Sequence, residues 1–283
     1  MSNGPAGHAA RSITVRPKDE TAGGGRPTPS RTFLHTADGV RIDAVYDRGD
    51  VVYDTLTSRS DHVAFVVAHG FTGDVDKPHV RRVVDALLPY GAVVTFSFRG
   101  HGASGGRSTV GDREVLDLVA AVAWAREQGH ERVVTVGFSM GGSVVLRHAA
   151  LHAQSTEAVV SVSAPARWYY RGTAPMRRVH WLVTRPEGRL VGRYGLRTRI
   201  QHRGWDPVPL SPVEAVPRIA PTPLLIVHGD RDGYFPVDHP HMLAAAAGDH
   251  GELWLEPGMG HAEHAATDEL LARIGRWGVE RAG

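Results

Sequence analysis

The chain has 283 residues, 42% of them hydrophobic, which is enough for one large α/β domain with an insertion. A formal net charge of +2 gives no global sign of a nucleic-acid partner, and the absence of cysteine excludes disulfides, thiolate metal sites and cysteine nucleophiles. No apolar run approaches the roughly 18 residues that a membrane span needs, and the N-terminus lacks the apolar stretch of a secretory signal. We therefore expect a cytoplasmic protein without a membrane span.

Residues 1–30 are rich in Gly, Pro, Ser and Thr, which predicts a flexible tail. After Arg31, two β-type runs flank a turn at Asp38-Gly39 and predict an antiparallel pair. Apolar runs typical of buried strands then alternate with segments of helical periodicity. The strand runs are HVAFVVAHG, AVVTFSFRG, RVVTVGFS, AVVSVSAP, PLLIVHGD and GELWLEP. The helical runs are HVRRVVDALLPYG, VGDREVLDLVAAVAWAREQG, SMGGSVVLRHAALHA, PVDHPHMLAAAAG and TDELLARIGRWGVERA. This alternation predicts an α/β fold, a parallel sheet with helices on both faces.

The interval 166–218 interrupts the alternation and is too long for an ordinary connection. We interpret it as an inserted lid with some helix of its own, between two core segments, 31–165 and 219–283. It combines many arginines with interleaved aromatic residues and a single acid between residues 167 and 203, Glu187. The arginines are at 167, 171, 177, 178, 185, 189, 193, 197, 199 and 203, the tryptophans at 168, 181 and 205, and the tyrosines at 169, 170 and 194.

A G-x-S-x-G pattern, Gly137-Phe138-Ser139-Met140-Gly141, lies between a predicted strand and a predicted helix. A sharp strand-to-helix turn lifts the serine hydroxyl above the sheet, and the flanking glycines are needed because side chains there would collide with neighbouring backbone. The alternative is a glycine-rich turn that merely contains a serine. The position between strand and helix favours the nucleophile interpretation.

A serine nucleophile needs a base, and the base needs a carboxylate that orients it. Downstream of Ser139, the end of one strand offers Asp230 and Asp232, and the end of the next offers His261 and His264. The chain order of serine, acid and histidine is the one expected for a nucleophile on a strand-to-helix turn. At this point both carboxylates and both histidines remain candidates.

In these motifs the chain resembles the α/β-hydrolases of the serine esterase, lipase and thioesterase type, from Arg31 to the C-terminus. The resemblance implies the α/β-hydrolase fold, with a mostly parallel eight-stranded sheet, helices on both faces and an inserted lid. The family carries its acid in a strand-end G-x-x-D motif, which matches G-D-R-D ending at Asp232. Its base follows in a G-x-G-H loop, which matches G-M-G-H ending at His261. Asp230 is then expected to make turn hydrogen bonds, and His264 is the second choice for the base.

The resemblance also extends to the oxyanion hole, the backbone donors that bind the negative oxygen of the tetrahedral intermediate. The stretch VAHGFTGD is similar to the family's His-Gly oxyanion motif. It implies the Phe71 N–H as one donor, and the Met140 N–H, next to the nucleophile, as the other. His69 is expected to support this loop rather than to act as a base.

A further stretch, SFRGHGASGGR, resembles the family's D-x-R-G-x-G-x-S turn, but Ser97 stands where an aspartate is common. The proposed triad is not affected by this difference. We expect Arg99 and Ser104 to brace the loops around the site.

Seventeen histidines raise the question of a metal. The close pairs His239 and His241, and His261 and His264, do not form a known metal-ligand signature, so the sequence predicts neither a metal nor a cofactor. Clustered arginines neutralise phosphates in nucleic-acid-binding proteins. In the predicted lid we interpret them as solvated surface charge or as groups that attract an anionic substrate.

The sequence therefore predicts a serine hydrolase that cleaves a small-molecule carboxylic ester or thioester through an acyl-enzyme, with Ser139, His261 and Asp232 as the triad. The first alternative is an acyl-thioesterase or acyltransferase that acts on acyl groups bound to CoA or a carrier protein. The second is a member of the fold that binds a ligand without hydrolysing it.

Overall fold

The computed structural model describes residues 28–49 and 63–283. Most of the predicted flexible tail lies outside the described residues, and the first strand already begins at Ser30. The strands of the described part are β1 (Ser30–His35), β2 (Arg41–Asp47), β3 (Val63–Ala68), β4 (Ala92–Phe96), β5 (Arg132–Phe138), β6 (Ala158–Val162), β7 (Leu224–Gly229) and β8 (Gly251–Glu256).

Outside residues 166–218, helices alternate with the parallel strands as predicted. The helices of the described part are α1 (Pro78–Leu87), α2 (Glu114–Glu127), α3 (Met140–Leu151), α4 (Ala174–Thr184), α5 (Pro186–Gly195), α6 (Pro212–Ala215), α7 (Asp238–Ala247), α8 (Ala262–Ala265) and α9 (Asp268–Ala282). Helix α1 begins at Pro78, where the missing N–H of proline costs nothing. Helix α9 begins after Thr267, whose hydroxyl accepts the Leu270 N–H. In the described residues no helix is long and apolar enough to cross a membrane.

One eight-stranded sheet has the order β1-β2-β4-β3-β5-β6-β7-β8. β2 pairs antiparallel with β1 and with β4, and the strands from β4 to β8 are parallel. The expected antiparallel pair around Asp38-Gly39 and the mostly parallel eight-stranded sheet are both confirmed.

The core consists of two layers, one on each face of the sheet. Successive side chains of β3 point to opposite layers: Ala64 and Val66 face one layer, and Val63, Phe65 and Val67 face the other. All residues of β3 are buried, as a strand covered on both faces requires.

The carboxyl ends of the parallel strands lie at one edge of the sheet, where open α/β sheets bind their ligands. Four of the loops that leave the sheet at this edge carry candidate site residues. Phe71 follows β3, Ser139 follows β5, Asp232 follows β7 and His261 follows β8. The topology alone therefore gathers residues that are far apart in sequence.

The 166–218 segment connects β6 to β7 and contains α4, α5 and α6. α4 and α5 pack on each other, and α6 packs on α3. Short β-bridges join His101 to Thr198 and Ser108 to Ile200. The segment thus contacts the core through α6 and through residues 198–200, and its action as a lid stays a prediction.

Candidate active site

Ser139 lies on the turn between β5 and α3 with a left-handed backbone conformation, φ 51° and ψ −111°. Non-glycine residues adopt positive φ rarely, and functional turns are where such strain collects. The turn is held by the Ser139 N–H, which donates to the Val162 carbonyl over 2.8 Å. A side chain at Gly137 would overlap the Gly141 backbone, and one at Gly141 would overlap the Ala68 backbone. Both glycines are therefore required by this tight turn.

Three side chains form a continuous hydrogen-bonded chain at this edge. The Ser139 hydroxyl lies 3.0 Å from Nε2 of His261. Nδ1 of His261 lies 2.7 Å from Oδ2 of Asp232. With Nδ1–H donating to the carboxylate, Nε2 is left as the acceptor of the serine proton. This is the relation of nucleophile, base and orienting acid that acyl transfer uses.

The Asp232 carboxylate is held in its charged form. Its side chain is fully buried, and Oδ1 accepts the N–H groups of Tyr234 at 2.8 Å and Phe235 at 3.1 Å. Burial by itself raises the pKa of this carboxyl, but the hydrogen bond and charge of His261 together with the two N–H donors bring the pKa below its usual value. A charged Asp232 is the form that stabilises a positively charged His261.

Aromatic side chains fix the plane of the His261 ring. Tyr234 stacks on it with a centroid distance of 4.1 Å, and Phe235 meets it edge-on at 5.7 Å. His228, buried below, lies with Nε2 2.8 Å from the Phe235 carbonyl and 3.6 Å from Asp232. Sequence reasoning did not single out these three residues, although Tyr234 and Phe235 directly follow the acid motif.

The alternative acid and base occupy other positions. Asp230 accepts the Gly258 N–H over 2.6 Å and so links the loop after β7 to the loop after β8. His264 is exposed at the end of α8, beside His79, with ring centroids 3.9 Å apart. The structure thus brings Asp232 and His261 to Ser139, but neither of the two alternatives.

The loop after β3 orients the expected oxyanion donor, Phe71. The Phe98 N–H donates to Nε2 of His69 over 3.0 Å, so Nδ1 of His69 carries the proton and donates to the Gly70 carbonyl over 2.7 Å. The Gly73 N–H donates to the same carbonyl. Because the peptide is planar and trans, fixing this carbonyl also fixes the Phe71 N–H on the opposite side.

His69 is neutral in this position. It is fully buried, and burial together with the neighbouring His101 lowers its pKa to about 3. Its two ring nitrogens hold the loop after β3 through the hydrogen bonds to the Phe98 N–H and the Gly70 carbonyl. The second expected donor, the Met140 N–H, lies at the first residue of α3, where helix amides lack intrahelical acceptors.

The turn that contains Ser97 in place of the family's aspartate is held by hydrogen bonds of buried side chains, and the Ser97 hydroxyl makes one of them. Oγ of Ser97 accepts the Val75 N–H over 3.1 Å. Ser104 donates to the Ser97 carbonyl and accepts the Asp43 N–H. Buried Arg99 pairs with Asp117 and with Asp38, and its side chain does not line the cavity.

A cavity of about 1030 Å³ opens beside Ser139 and His261. This is at the upper end of the ~300–1,000 Å³ that small-molecule sites span. Much of its wall comes from the 166–218 segment, whose apolar and aromatic contributors include Trp168, Tyr169, Tyr170, Met176, Val179, Trp181, Leu182 and Trp205. The indole N–H of Trp168 donates to the Pro209 carbonyl, and that of Trp205 to the Thr109 carbonyl.

Charge around the cavity is predominantly positive. Among the described residues that line it, four are arginines and one is acidic, Glu263. Arg167 is paired with Asp238 at 3.0 Å. The other three arginines are exposed, namely Arg171, Arg178 and Arg203.

Comparisons with known proteins agree with the fold of the chain. A sequence model of the Alpha/beta hydrolase family matches residues 65–274. No curated protein matches the chain. The esterase Pf2001 of Pyrococcus furiosus is similar in structure, with 23% identity, 90% of this chain and 94% of that chain covered, and a TM-score of 0.69.

Two further solved structures are similar at comparable coverage. One is XC6422 of Xanthomonas campestris, an α/β serine hydrolase without a lid, with 22% identity, 90% and 95% of the two chains covered, and a TM-score of 0.60. The other is Est1E of Butyrivibrio proteoclasticus with bound ferulic acid, with 20% identity, 88% and 98% covered, and a TM-score of 0.59. At these identities the similarity shows a shared fold.

Proposed function

Because the chain belongs to the alpha/beta hydrolase family, we propose that it is a serine hydrolase that cleaves a carboxylic ester or thioester through an acyl-enzyme. The observation that carries the proposal is the unbroken contact chain from Asp232 through His261 to Ser139, 2.7 Å and 3.0 Å long. A serine on a strained turn, in hydrogen-bond reach of an oriented imidazole, is the arrangement of an activated nucleophile.

In the acylation step Oγ of Ser139 attacks the substrate carbonyl while Nε2 of His261 removes its proton. The negative oxygen of the tetrahedral intermediate is bound by the N–H groups of Phe71 and Met140. His261 then returns the proton to the leaving alcohol or thiol as the bond to the acyl carbon breaks. Asp232 holds the ring and stabilises its charged form throughout.

In the deacylation step water takes the place of the leaving group. His261 removes a proton from the water, the hydroxide attacks the acyl carbon, and the same two N–H groups bind the oxygen. Ser139 leaves with the proton from His261, and the free acid is released. No cofactor enters these steps.

The 166–218 segment, proposed as the lid, supplies the acyl-binding wall. Its aromatic and aliphatic side chains favour an apolar or aromatic acyl group, since burial of apolar surface contributes about 25 cal/mol per Å². The exposed arginines at the cavity favour a second candidate within the same chemistry, an acyl-thioesterase or acyltransferase whose acyl carrier bears phosphates.

A substrate panel tests the proposal and separates the candidates. p-Nitrophenyl esters and acyl-CoA thioesters of graded acyl length are assayed for release of p-nitrophenol and of free thiol. Turnover by wild type that disappears in Ser139→Ala supports the hydrolase, and the preferred series identifies the leaving group. If the folded wild type turns over neither series, the ligand-binding alternative replaces it.

A further inference from the structure

Helices α1 and α8 bring together three side chains with metal-binding atoms, beside the candidate active site. His79 lies in the first turn of α1, and Glu263 and His264 lie in α8. The two imidazole rings are 3.9 Å apart between centroids, and Nε2 of His79 lies 3.9 Å from Oε1 of Glu263. One ligand atom from each of the three side chains lies within 4.8 Å of the other two.

Glu263 gives this cluster a fixed negative charge. The residue is only 3% exposed, yet its one ion-pair contact in the described part of the chain is His79. Oε1 accepts the Gly70 N–H over 3.0 Å, and the described residues provide no hydrogen bond to Oε2. A buried carboxylate is costly unless it is paired or coordinates a metal. The Glu263 carboxylate, whose Oε1 is the oxygen near His79, is therefore suited to be the anionic ligand of the cluster.

We propose that His79, Glu263 and His264 bind a zinc ion. Two imidazole nitrogens and a carboxylate oxygen are ligands that Zn²⁺ prefers, and three protein ligands leave a fourth position for water. Ligand atoms of a tetrahedral zinc site lie about 3.3 Å apart. The exposed His264 side chain closes the remaining distance by rotating about its own bonds.

The location gives the ion a consequence beyond the proposed reaction. It would clamp α1 to the segment that follows His261, and its carboxylate ligand also holds the Gly70 N–H next to Phe71. Zinc binding is thereby coupled to the stability of the loops around the cavity. The proposal does not depend on the hydrolase activity, because ion binding and stability are measured without a substrate.

The test is calorimetric titration of untagged full-length protein with zinc chloride, paired with thermal unfolding in zinc or in chelator. The variants are His79→Ala, His264→Ala and Glu263→Gln. The matched control is His152→Ala, since His148 and His152 are another close pair, with centroids 5.2 Å apart. We expect one ion per wild-type chain and a higher Tm with zinc. Each of the three variants should lose at least about tenfold in affinity, and the control should retain wild-type affinity.

The proposal is overturned if wild type shows no saturable zinc binding, or if wild type and His264→Ala bind zinc with equal affinity. His264 is exposed, so this variant is informative even if His79→Ala fails to fold. Loss of affinity in His152→Ala alone would assign the ion to the other pair and would contradict it as well. Retained affinity in Glu263→Gln would overturn the role of the carboxylate.

Discussion

Helices α3 and α4 both contribute to the candidate cavity, but they are built differently. α3 carries the Ser139 turn at its start and has ten buried residues. α4 has no buried residue, although Met176, Val179 and Leu182 line the cavity. The 166–218 segment around α4 also exposes large apolar side chains such as Tyr194, Leu190 and Val191.

This difference separates the two tasks of the site. Chemistry needs atoms held within a few tenths of an ångström, and a helix buried in the core provides such precision. Substrate selection needs an adaptable apolar wall, and segments with few buried contacts are those that open most easily. We therefore expect substitutions near α3 to change turnover and substitutions in the 166–218 segment to change substrate preference.

The largest effect is expected at the start of α3. Ser139→Ala removes the nucleophile and should lower kcat on the order of 10⁶-fold without changing the free energy of unfolding. Ser143→Ala is the matched control: it lies one turn further along α3, lines the same cavity, and its buried hydroxyl has no hydrogen-bond partner among the described residues. Steady-state ester hydrolysis by both variants checks the prediction, and comparable losses in the two would contradict it.

The next largest effect is expected at the acid. Asp232→Asn should lower kcat about 10⁴-fold, because the amide no longer holds His261 in the tautomer that accepts the serine proton. Asp230→Asn replaces the carboxylate that accepts the Gly258 N–H and should change kcat by less than about tenfold. The two variants are compared by kcat, with circular dichroism as the control for folding. The opposite ranking in folded proteins would assign the acid to Asp230.

The third prediction compares a buried histidine of α3, His148, with a partly buried histidine of α4, His180, by the pH dependence of stability. Burial, with a smaller contribution from His152, lowers the pKa of His148 in α3 to about 3. In the unfolded chain this ring is therefore protonated below about pH 6.5, whereas in the folded chain it stays neutral until about pH 3. The neutral ring favours the folded state fully above pH 6.5, and this contribution to stability is lost as pH falls towards 3. Between pH 6.5 and pH 5, the free energy of unfolding of His148→Met should therefore fall by up to about 2 kcal/mol less than that of wild type.

Urea unfolding at pH 7.5, 6.5 and 5.0 measures this loss. His180→Ala in α4 is the control, since His180 is only partly buried and should leave most of the acid sensitivity in place. Acid sensitivity in His148→Met equal to that of wild type would show that this buried ring is not a source of the pH dependence.

The smallest effect is expected in the 166–218 segment. Trp205 packs on Trp168 and Tyr169, with centroids 5.1 Å and 5.5 Å away. Trp205→Ala should raise KM roughly tenfold for long acyl chains and leave acetyl ester turnover nearly unchanged. Tyr194→Ala, at a position 74% exposed, should change neither value. An equal loss on acetyl and long-chain esters in Trp205→Ala would break the division between the two regions.

Most of the core could be predicted from the sequence, because strands buried on both faces are continuous apolar runs. β3, β5 and β7 are all largely apolar runs in the sequence, and glycines mark the turn that carries Ser139. The bounds of α4 and α5 could not be predicted. The apolar residues of α4 lie among arginines and are at most half-buried, so the sequence shows no core-facing stripe whose ends would mark the ends of the helix.

The choice between Asp230 and Asp232 shows another limit of residue spacing. The two carboxylates are two positions apart on one turn, and only the path of the backbone decides which of them faces His261. Family resemblance was needed to select Asp232. The cluster of His79, Glu263 and His264 lay beyond sequence reasoning, which considered only histidine pairs close in the chain and predicted no metal.

The most direct measurement is intact-mass analysis after incubation with a fluorophosphonate, for wild type and for Ser139→Ala. The account predicts a single adduct on wild type, located by peptide mapping to Ser139, and none on the variant. Equal labelling of both proteins, or a folded wild type that forms no adduct, would contradict the claim that Ser139 is an activated nucleophile.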